Sequence, residues 1–231
     1  MLVTGFPAGA FGTNCFVLAP GAGQECVVID PGQDAERPLR AVLEEHRLKP
    51  VAVVLTHGHL DHMWSVVPVC DGYGIPAYIH PDDRAMLSDP LSWHGEAIGA
   101  MIRGLSFTEP SDVAELTDEA QLALAGVSLT VRHAPGHTRG SVAFELAHPE
   151  APVLLSGDLL FAGSIGRTDL PGGSHEQMLD SLARVCLPMA DETIVLPGHG
   201  PQTTIGAERA TNPYLRGLAT SPAVPAVRRG L

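Results

Sequence analysis

Short apolar runs alternate along this chain with segments whose apolar residues recur at helical spacing. The runs are rich in β-branched residues and end at turn residues such as Asp30-Pro31-Gly32, which is typical of strands. The run 51–55 is apolar throughout, as expected for a strand buried on both faces. We predict strands over 13–18, 25–30, 51–55, 77–80, 121–124, 127–133, 142–146, 153–156 and 193–196.

Four segments have the period of an amphipathic helix, namely 34–47, 60–70, 174–186 and 208–215. Asp34 and Ser174 are the predicted N-caps of the first and third. Residues 81–118 are predicted to form short helices and loops, and the tail after about residue 217 to be flexible. This order favours a four-layer α/β sandwich in one domain spanning 1–231, although the pattern alone does not separate it from other mixed α/β folds.

Composition and charge narrow the classes of function. The 231 residues are 45% hydrophobic and 17% charged, which is a globular composition. A net charge of −12 disfavours nucleic acid as a partner, since phosphate binding needs a basic patch. No apolar run reaches the roughly 18 residues of a membrane helix, and no signal peptide is recognised, so we expect a cytoplasmic protein without a membrane partner. The four isolated cysteines are predicted to be buried thiols.

The densest group of metal-ligating side chains follows the run 51–55, in Thr56-His57-Gly58-His59-Leu60-Asp61-His62. His57 and His59 are two residues apart in an extended turn, so both side chains can reach one cation. Asp61 and His62 begin the next helix and can face a second cation. Imidazole with carboxylate is a ligand set that Zn, Fe and Mn accept.

Three later residues repeat this placement, each beside a glycine and directly after a predicted strand: His137, Asp158 and His199. The ends of core strands hold side chains rigidly in a crevice. One such residue alone would be read as part of a turn. Four segments that together supply five histidines and two aspartates indicate a metal centre.

The motifs His-x-His-x-Asp-His, Pro-Gly-His-Thr, Ser-Gly-Asp and Pro-Gly-His-Gly, in that order, resemble the metallo-β-lactamase superfamily from about Thr13 to His199. The resemblance implies a four-layer αβ/βα fold with metals between two sheets. It assigns a first metal to His57, His59 and His137, a second to Asp61, His62 and His199, and the bridge to Asp158. Asp61 is also assigned a catalytic role. True β-lactamases of this fold often replace second-site residues, so the full set makes antibiotic hydrolysis less expected.

The segment 166–173 is similar to the short-form (type II) hydroxyacylglutathione hydrolases, the glyoxalase II group, and to persulfide dioxygenases. Asn14-Cys15-Phe16 and His80-Pro81-Asp82-Asp83 fit the same group. We predict that Arg167 and Asp169 pair to brace the loop, the alternative being that Arg167 contacts substrate. Too few residues follow His199 for the glutathione-binding domain of the long-form enzymes, so tolerance of several thiol carriers is expected.

The resemblance implies two divalent metal ions, most simply zinc, with iron or manganese as alternatives. Coordination lowers the pKa of water to about 7, so a metal-bridging hydroxide is expected to attack a thioester such as S-lactoylglutathione. A thiolate leaves without much proton donation, because a thiol has a pKa of about 8.5. The alternatives are a mononuclear iron persulfide dioxygenase that uses His57, His137 and Asp158, and a lactonase or phosphodiesterase. The oligomeric state stays open.

Six further histidines match no ligand position and are predicted to lie on the surface or to cap helices; His80, His94 and His133 are among them. Trp64 is predicted to pack in the core. Trp93 and Met101 are also assigned to the core, with the mouth of a pocket as the alternative.

Overall fold

The computed structural model describes residues 1–94 and 104–220, and within these ranges the strands form two mixed six-stranded sheets. The strands of the first sheet are β1 (Leu2–Ala8), β2 (Thr13–Ala19), β3 (Glu25–Ile29), β4 (Lys49–Val54), β5 (Ala77–Ile79) and β6 (Val113–Glu115). They lie side by side in chain order. β1 to β3 pair antiparallel, whereas β3 to β6 pair parallel.

The second sheet is built from the later part of the chain in the order β12-β11-β10-β9-β8-β7. Its strands are β7 (Gln121–Leu124), β8 (Val127–His133), β9 (Val142–Leu146), β10 (Val153–Gly157), β11 (Ile194–Pro197) and β12 (Thr203–Thr204). β7 to β10 pair antiparallel, and β10 pairs parallel with β11. β8, β10 and β11 therefore run in the same direction and end at the same edge.

Helices cover the outer face of each sheet. On the first sheet these are α1 (Glu36–His46), α2 (Leu60–Met63), α3 (Val66–Tyr73) and α4 (Pro81–Arg84), followed by 3₁₀ turns at Ala85–Leu87 and Pro90–Trp93. On the second they are α5 (His175–Ser181), which continues as a π-turn over Leu182–Cys186, α6 (Ile205–Thr211) and α7 (Pro213–Thr220). No helix in the described ranges is long and apolar enough to cross a membrane.

Three apolar layers hold this arrangement together. Leu39, Val53 and Val66 belong to the layer between the first sheet and its helices. Ile29 and Phe144 belong to the layer between the sheets, and the third layer lies between the second sheet and its helices. The predicted four-layer sandwich is confirmed.

The sequence pattern did not predict three of the strands. β1 carries Gly5 and Pro7, which interrupt the alternation, but as an edge strand it tolerates a residue that cannot donate a hydrogen bond. β6 and β12 have three and two residues, which is too short for a period to show.

Two local predictions about helices were wrong. The helix expected over 60–70 divides into α2 and α3, because Pro68 has no N–H to donate to the carbonyl of Trp64. Asp34 does not cap α1: its φ is +57°, and the N-cap is Ala35, which has no side-chain acceptor. Ser174 does cap α5, since its hydroxyl accepts the Gln177 N–H at 3.3 Å.

The C-terminal part also differs from expectation. The helix predicted over 208–215 appears as α6 and α7, which meet at Asn212. α7 continues past the predicted start of the tail to Thr220, and residues 221–231 lie outside the described part of the chain, as does Met101. Trp64 packs against the core layer of the first sheet, as predicted, and all four cysteines are buried.

Candidate metal centre

All seven residues assigned to metals lie at the edge where β4, β8, β10 and β11 end. Three of them form the first cluster: His57 and His59 follow β4, and His137 follows β8. The three imidazoles are buried, and His59 Nδ1 lies 2.7 Å from His137 Nε2. The rings of His57 and His137 have centroids 4.7 Å apart, nearly perpendicular to each other. One ring nitrogen of each therefore points into a common space.

The second cluster consists of Asp61 and His62 in α2 and of His199 after β11. His62 Nε2 lies 3.2 Å from His199 Nε2 and 3.6 Å from Asp61 Oδ2. The Asp61 oxygen is 3.0 Å from His199 Nε2. His62 is fully buried, whereas Asp61 and His199 keep 20% and 29% of their side chains exposed, so this cluster faces the opening of the site.

Asp158 lies between the two clusters. Its Oδ2 is 3.4 Å from His137 Nε2 and 3.8 Å from His199 Nε2, and its Oδ1 is 3.3 Å from His62 Nε2. One carboxylate thus contacts donors of both clusters. The position is the one expected of a residue that serves two cations.

The buried polar atoms of this centre fit a cation. His57 Nε2 and Asp158 Oδ1 are buried and have no hydrogen-bond partner among residues 1–94 and 104–220. A buried acceptor without a hydrogen-bond partner costs free energy of folding. In addition, two pairs of ring nitrogens face each other at 2.7 and 3.2 Å. Imidazole nitrogens and carboxylate oxygens are the donors that zinc and other borderline divalent ions accept.

Hydrogen bonds on the outer side of three rings leave Nε2 free for a cation. His137 Nδ1 donates to the backbone carbonyl of Arg167 at 2.7 Å, so the proton is on Nδ1. His62 Nδ1 lies 2.9 Å from Asp30 Oδ2, and His57 Nδ1 lies 3.0 Å from Thr56 Oγ1. This is the arrangement that metal-binding histidines adopt when an outer acceptor fixes the ring.

The family profile of the Metallo-beta-lactamase superfamily matches residues 8–199, a span that contains all seven residues. The chain belongs to the metallo-beta-lactamase superfamily. The predicted membership is confirmed at this level, while the glyoxalase II-like subgroup stays a proposal.

Relatives within the superfamily are similar over nearly the whole chain. An uncharacterized protein of Mycobacterium leprae is 54% identical over 94% of this chain and all of its own length. The hydroxyacylglutathione hydrolase GloC of Haemophilus influenzae is 33% identical over 90% of this chain and 95% of its own.

Two solved structures share the fold at higher identity than GloC. BLEG-1, described as a B3 metallo-beta-lactamase, is 41% identical with a TM-score of 0.80, covering 93% of this chain and 99% of its own. TTHA1623, crystallised in a di-iron-bound form, is 37% identical with a TM-score of 0.74, covering 92% of this chain and 100% of its own.

The metallo-beta-lactamase centre has supporting residues whose contacts the sequence analysis did not predict. Asp30 appeared only as a turn residue, yet its buried carboxylate contacts Thr56 and His62. Asn14 donates to the carbonyl oxygens of Pro197 and Gly200, both at 2.9 Å, and so clamps the loop that carries His199. The only signal for Asp30 was its place directly after a buried strand, as for the predicted ligands.

Asp83 joins two of the ligand loops. Its carboxylate accepts the Gly58 N–H at 3.0 Å, the Gly140 N–H at 2.7 Å and the Thr138 hydroxyl at 2.6 Å. Burial raises the pKa of Asp83, and these three donors oppose the rise. The loop of His57 and His59 is therefore held against the loop of His137 through one side chain.

Electrostatics separate the two clusters. Burial lowers the pKa of His57 and of His59, and neighbouring histidines lower both further. These rings are therefore neutral and can bind a metal ion. Burial alone would raise the pKa of Asp61, but His62 and His199 outweigh it and hold that pKa below its ordinary value. Burial would lower the pKa of His62, but Asp158 and Asp61 raise it instead. Protons and cations therefore compete most strongly at the second cluster.

The predicted pairing of Arg167 with Asp169 is present in the loop 166–173. Arg167 Nε and Nη2 donate to the two carboxylate oxygens of Asp169 at 2.7 and 2.8 Å. Both side chains are exposed, while the carbonyl of Arg167 accepts the proton of His137 Nδ1. The backbone of this loop, rather than its ion pair, contacts the metal centre.

His94 has a capping role, as predicted for the histidines outside the ligand set. Its Nε2 accepts the first N–H of α2, from Leu60, at 3.1 Å, and its Nδ1 donates to the carbonyl of Pro90 at 2.8 Å. Its ring packs edge-on against His59 at 4.8 Å between centroids. The cap therefore fixes the helix that carries Asp61 and His62.

Proposed function

We propose that this chain is a dinuclear metal-dependent hydrolase of thioesters such as S-lactoylglutathione. The observation that carries the proposal is the complete set of seven metal-ligating residues, with Asp158 between the other six. A chain that had lost metal-dependent catalysis would normally also have lost residues from these two adjacent clusters. Resemblance to GloC over most of both chains supports the thioester as substrate.

In this proposal the first cation is held by His57, His59 and His137, the second by Asp61, His62 and His199, and Asp158 serves both. Two divalent ions supply Lewis acidity toward a carbonyl oxygen and lower the pKa of bound water toward 7. Zinc is the ion we propose first. The di-iron form of TTHA1623 supports iron as the alternative.

Asp61 is the catalytic residue of the proposal. Its Oδ2 accepts the Thr13 hydroxyl at 3.2 Å and the side chain is partly exposed, so the carboxylate can accept a hydrogen bond from an attacking water and orient it. The depressed pKa keeps this carboxylate ionised near neutral pH. A thiolate leaves readily, so no buried general acid is needed on the leaving-group side.

β-Lactam hydrolysis is the second function supported by an observation, because BLEG-1 is described as a β-lactamase and is 41% identical to this chain. The full second cluster favours the thioesterase. Persulfide oxidation with a single iron is the other alternative, and only the sequence analysis supports it.

The deciding experiment loads the metal-free protein with zinc or iron and counts bound ions per chain. Each form is then assayed with S-lactoylglutathione, glutathione persulfide and a chromogenic cephalosporin. We expect two ions per chain and release of glutathione from the thioester, with Asp61→Asn inactive at equal protein concentration. Oxygen consumption with the persulfide at one iron per chain, or faster turnover of the cephalosporin, would contradict the proposal.

A further inference from the structure

We propose that His80, Asp82 and His133 form an additional cation site, distinct from the seven residues of the metal centre, that takes a borderline divalent ion such as zinc, nickel or copper. The proposed function leaves these three side chains unused. His80 follows β5 in the first sheet, Asp82 lies in α4, and His133 ends β8 in the second sheet. Folding therefore brings a histidine of one sheet to a histidine and an aspartate of the other.

The three ligating groups lie within reach of a single ion. One ligand atom of each residue lies within 4.8 Å of the others, and His80 Nδ1 is 3.9 Å from Asp82 Oδ2. A zinc ion about 2.1 Å from each ligand atom keeps these atoms at most about 4.2 Å apart, so they need to approach one another by roughly 0.6 Å or less. The Asp82 side chain is 57% exposed, so its carboxylate can move that far without disturbing the core.

The two imidazole rings stack on each other, with centroids 4.2 Å apart and 3° between their planes. A ring nitrogen binds a cation in the plane of its ring, and parallel rings direct their nitrogens along parallel lines, so one ring has to turn before both bind the same ion. His80 is the ring that can turn, since its hydrogen bond from the Asp82 N–H is long, at 3.3 Å. Binding therefore opens the stack.

Hydrogen bonds assign a free lone pair to Nδ1 of both rings. His133 Nε2 lies 2.8 Å from the carbonyl oxygen of Arg139, to which it donates, so its Nδ1 is left for a cation. His80 Nδ1 accepts the Asp82 N–H and so carries no proton. A ring whose second nitrogen donates to a carbonyl is the arrangement that metal-binding histidines adopt, and His133 has it.

Solvent reaches the site through a cavity of about 450 Å³. The cavity lining includes Asp82, His133, Arg139, Ser174 and Gln177. A cation can enter here, and water can complete its coordination. Arg139 places a positive charge in the same lining as Asp82, so the ion is held by its ligand bonds rather than by the charge of the cavity. Two imidazoles with one carboxylate select borderline ions over magnesium and calcium, which prefer oxygen ligands.

A second His-Pro-acid segment, His148-Pro149-Glu150, provides a matched control. His148 Nδ1 accepts the Glu150 N–H at 3.3 Å, the same local geometry as in His80-Pro81-Asp82. Within the described residues, His148 belongs to no group of ligating side chains close enough to share an ion. The two segments therefore differ in the presence of His133, and not in their local backbone contacts.

The test counts zinc in the protein whose metal centre is already loaded with zinc. The protein is dialysed against buffered free zinc, and zinc per chain is measured by elemental analysis. The wild type should hold one zinc more than His80→Gln and His133→Gln at the same free zinc concentration, and His148→Gln should equal the wild type. Asp82→Asn should weaken the additional site at least about 10-fold, since losing even an indirect partner of a metal ligand costs that much.

Proton NMR of the rings gives a second readout. Zinc binding should shift the ring-proton signals of His80 and His133, because opening the stack changes the ring current that each ring feels. Unshifted signals, equal zinc contents in the wild type and His133→Gln, or the same loss of zinc in His148→Gln would overturn the proposal. If His133→Gln does not fold, Asp82→Asn, at an exposed position, still decides. All variants share the metal centre, so a failed thioesterase assay would leave the difference of one ion standing.

Discussion

Replacing Gly198 with alanine tests how the backbone beside His199 holds the metal donors. A Cβ at this position would lie 2.3 Å from Asp158 Oδ1 and 2.7 Å from His62 Cε1. Both neighbours are short, largely buried side chains, so relief requires a displacement of about 1 Å to reach ordinary van der Waals contact. Either donor group, or the loop that carries His199, has to move.

The expected loss of stability and activity follows from this overlap between the added Cβ and its neighbours. Overpacking of a filled site costs about 1–3 kcal/mol, which for a domain of this size lowers Tm by roughly 2–12 °C. A displacement of about 1 Å at reacting groups costs about 100-fold in rate. We expect Gly198→Ala to lose at least one metal per chain and to lose activity, as measured by metal analysis after gel filtration and by thermal unfolding.

Gly200 provides the control, because an added Cβ there would strain the backbone without meeting a neighbouring atom. Its φ is +76°, but an added Cβ would have no neighbour within 4 Å. Gly200→Ala should cost about 1–2 kcal/mol through backbone strain alone and keep both metals. The reasoning fails if Gly198→Ala retains two tightly bound metals at wild-type Tm, or if both variants lose metal equally.

Three further predictions rest on Asp158, on Asp83 and on the buried cysteines. Asp158→Ala should bind one metal or none, since the residue contacts both clusters; two tightly bound metals by elemental analysis would refute its bridging position. Asp83→Asn should lower the Tm of the metal-free protein by roughly 2–12 °C, because an amide places a donor against buried donors at a cost of about 1–3 kcal/mol. In a thiol-reagent assay at pH 8 the native cysteines should be unreactive and all four should react after denaturation, because burial raises the pKa of Cys26, Cys70 and Cys186 to about 12 and that of Cys15 well above its ordinary value.

The placement of the predicted ligands could be anticipated because each follows a buried strand in the sequence. His57 and Asp158 are examples: a short apolar run and an adjacent glycine marked both, and strand ends of one direction meet at one edge. The order of strands and helices favoured the two-sheet architecture, and the resemblance of the metal motifs selected it among mixed α/β folds.

The supporting contacts could not be anticipated, because they join residues that are distant in the chain. Asp30 reaches Thr56, Asp83 reaches Gly140, and Asn14 reaches Pro197. Asp30 looked like an ordinary turn residue, and the motifs that contain Asn14 and Asp83 did not indicate which partners these side chains contact. The wrong cap at Asp34 has a local origin instead: its backbone is left-handed, and the N-cap falls one residue later, at Ala35.

The donors come from both halves of the chain. Four lie on the loop and helix that follow β4 in the first sheet, and three lie at the ends of strands in the second. A bound cation is therefore a cross-link between the two sheets, and its binding free energy adds to the stability of the folded state by mass action. At a free concentration a thousand times the Kd, one site contributes about 4 kcal/mol. In the proposed dinuclear form, the metal supply of the surrounding solution therefore adds to what the apolar layers contribute, and chelation should loosen first the edge where the two halves meet.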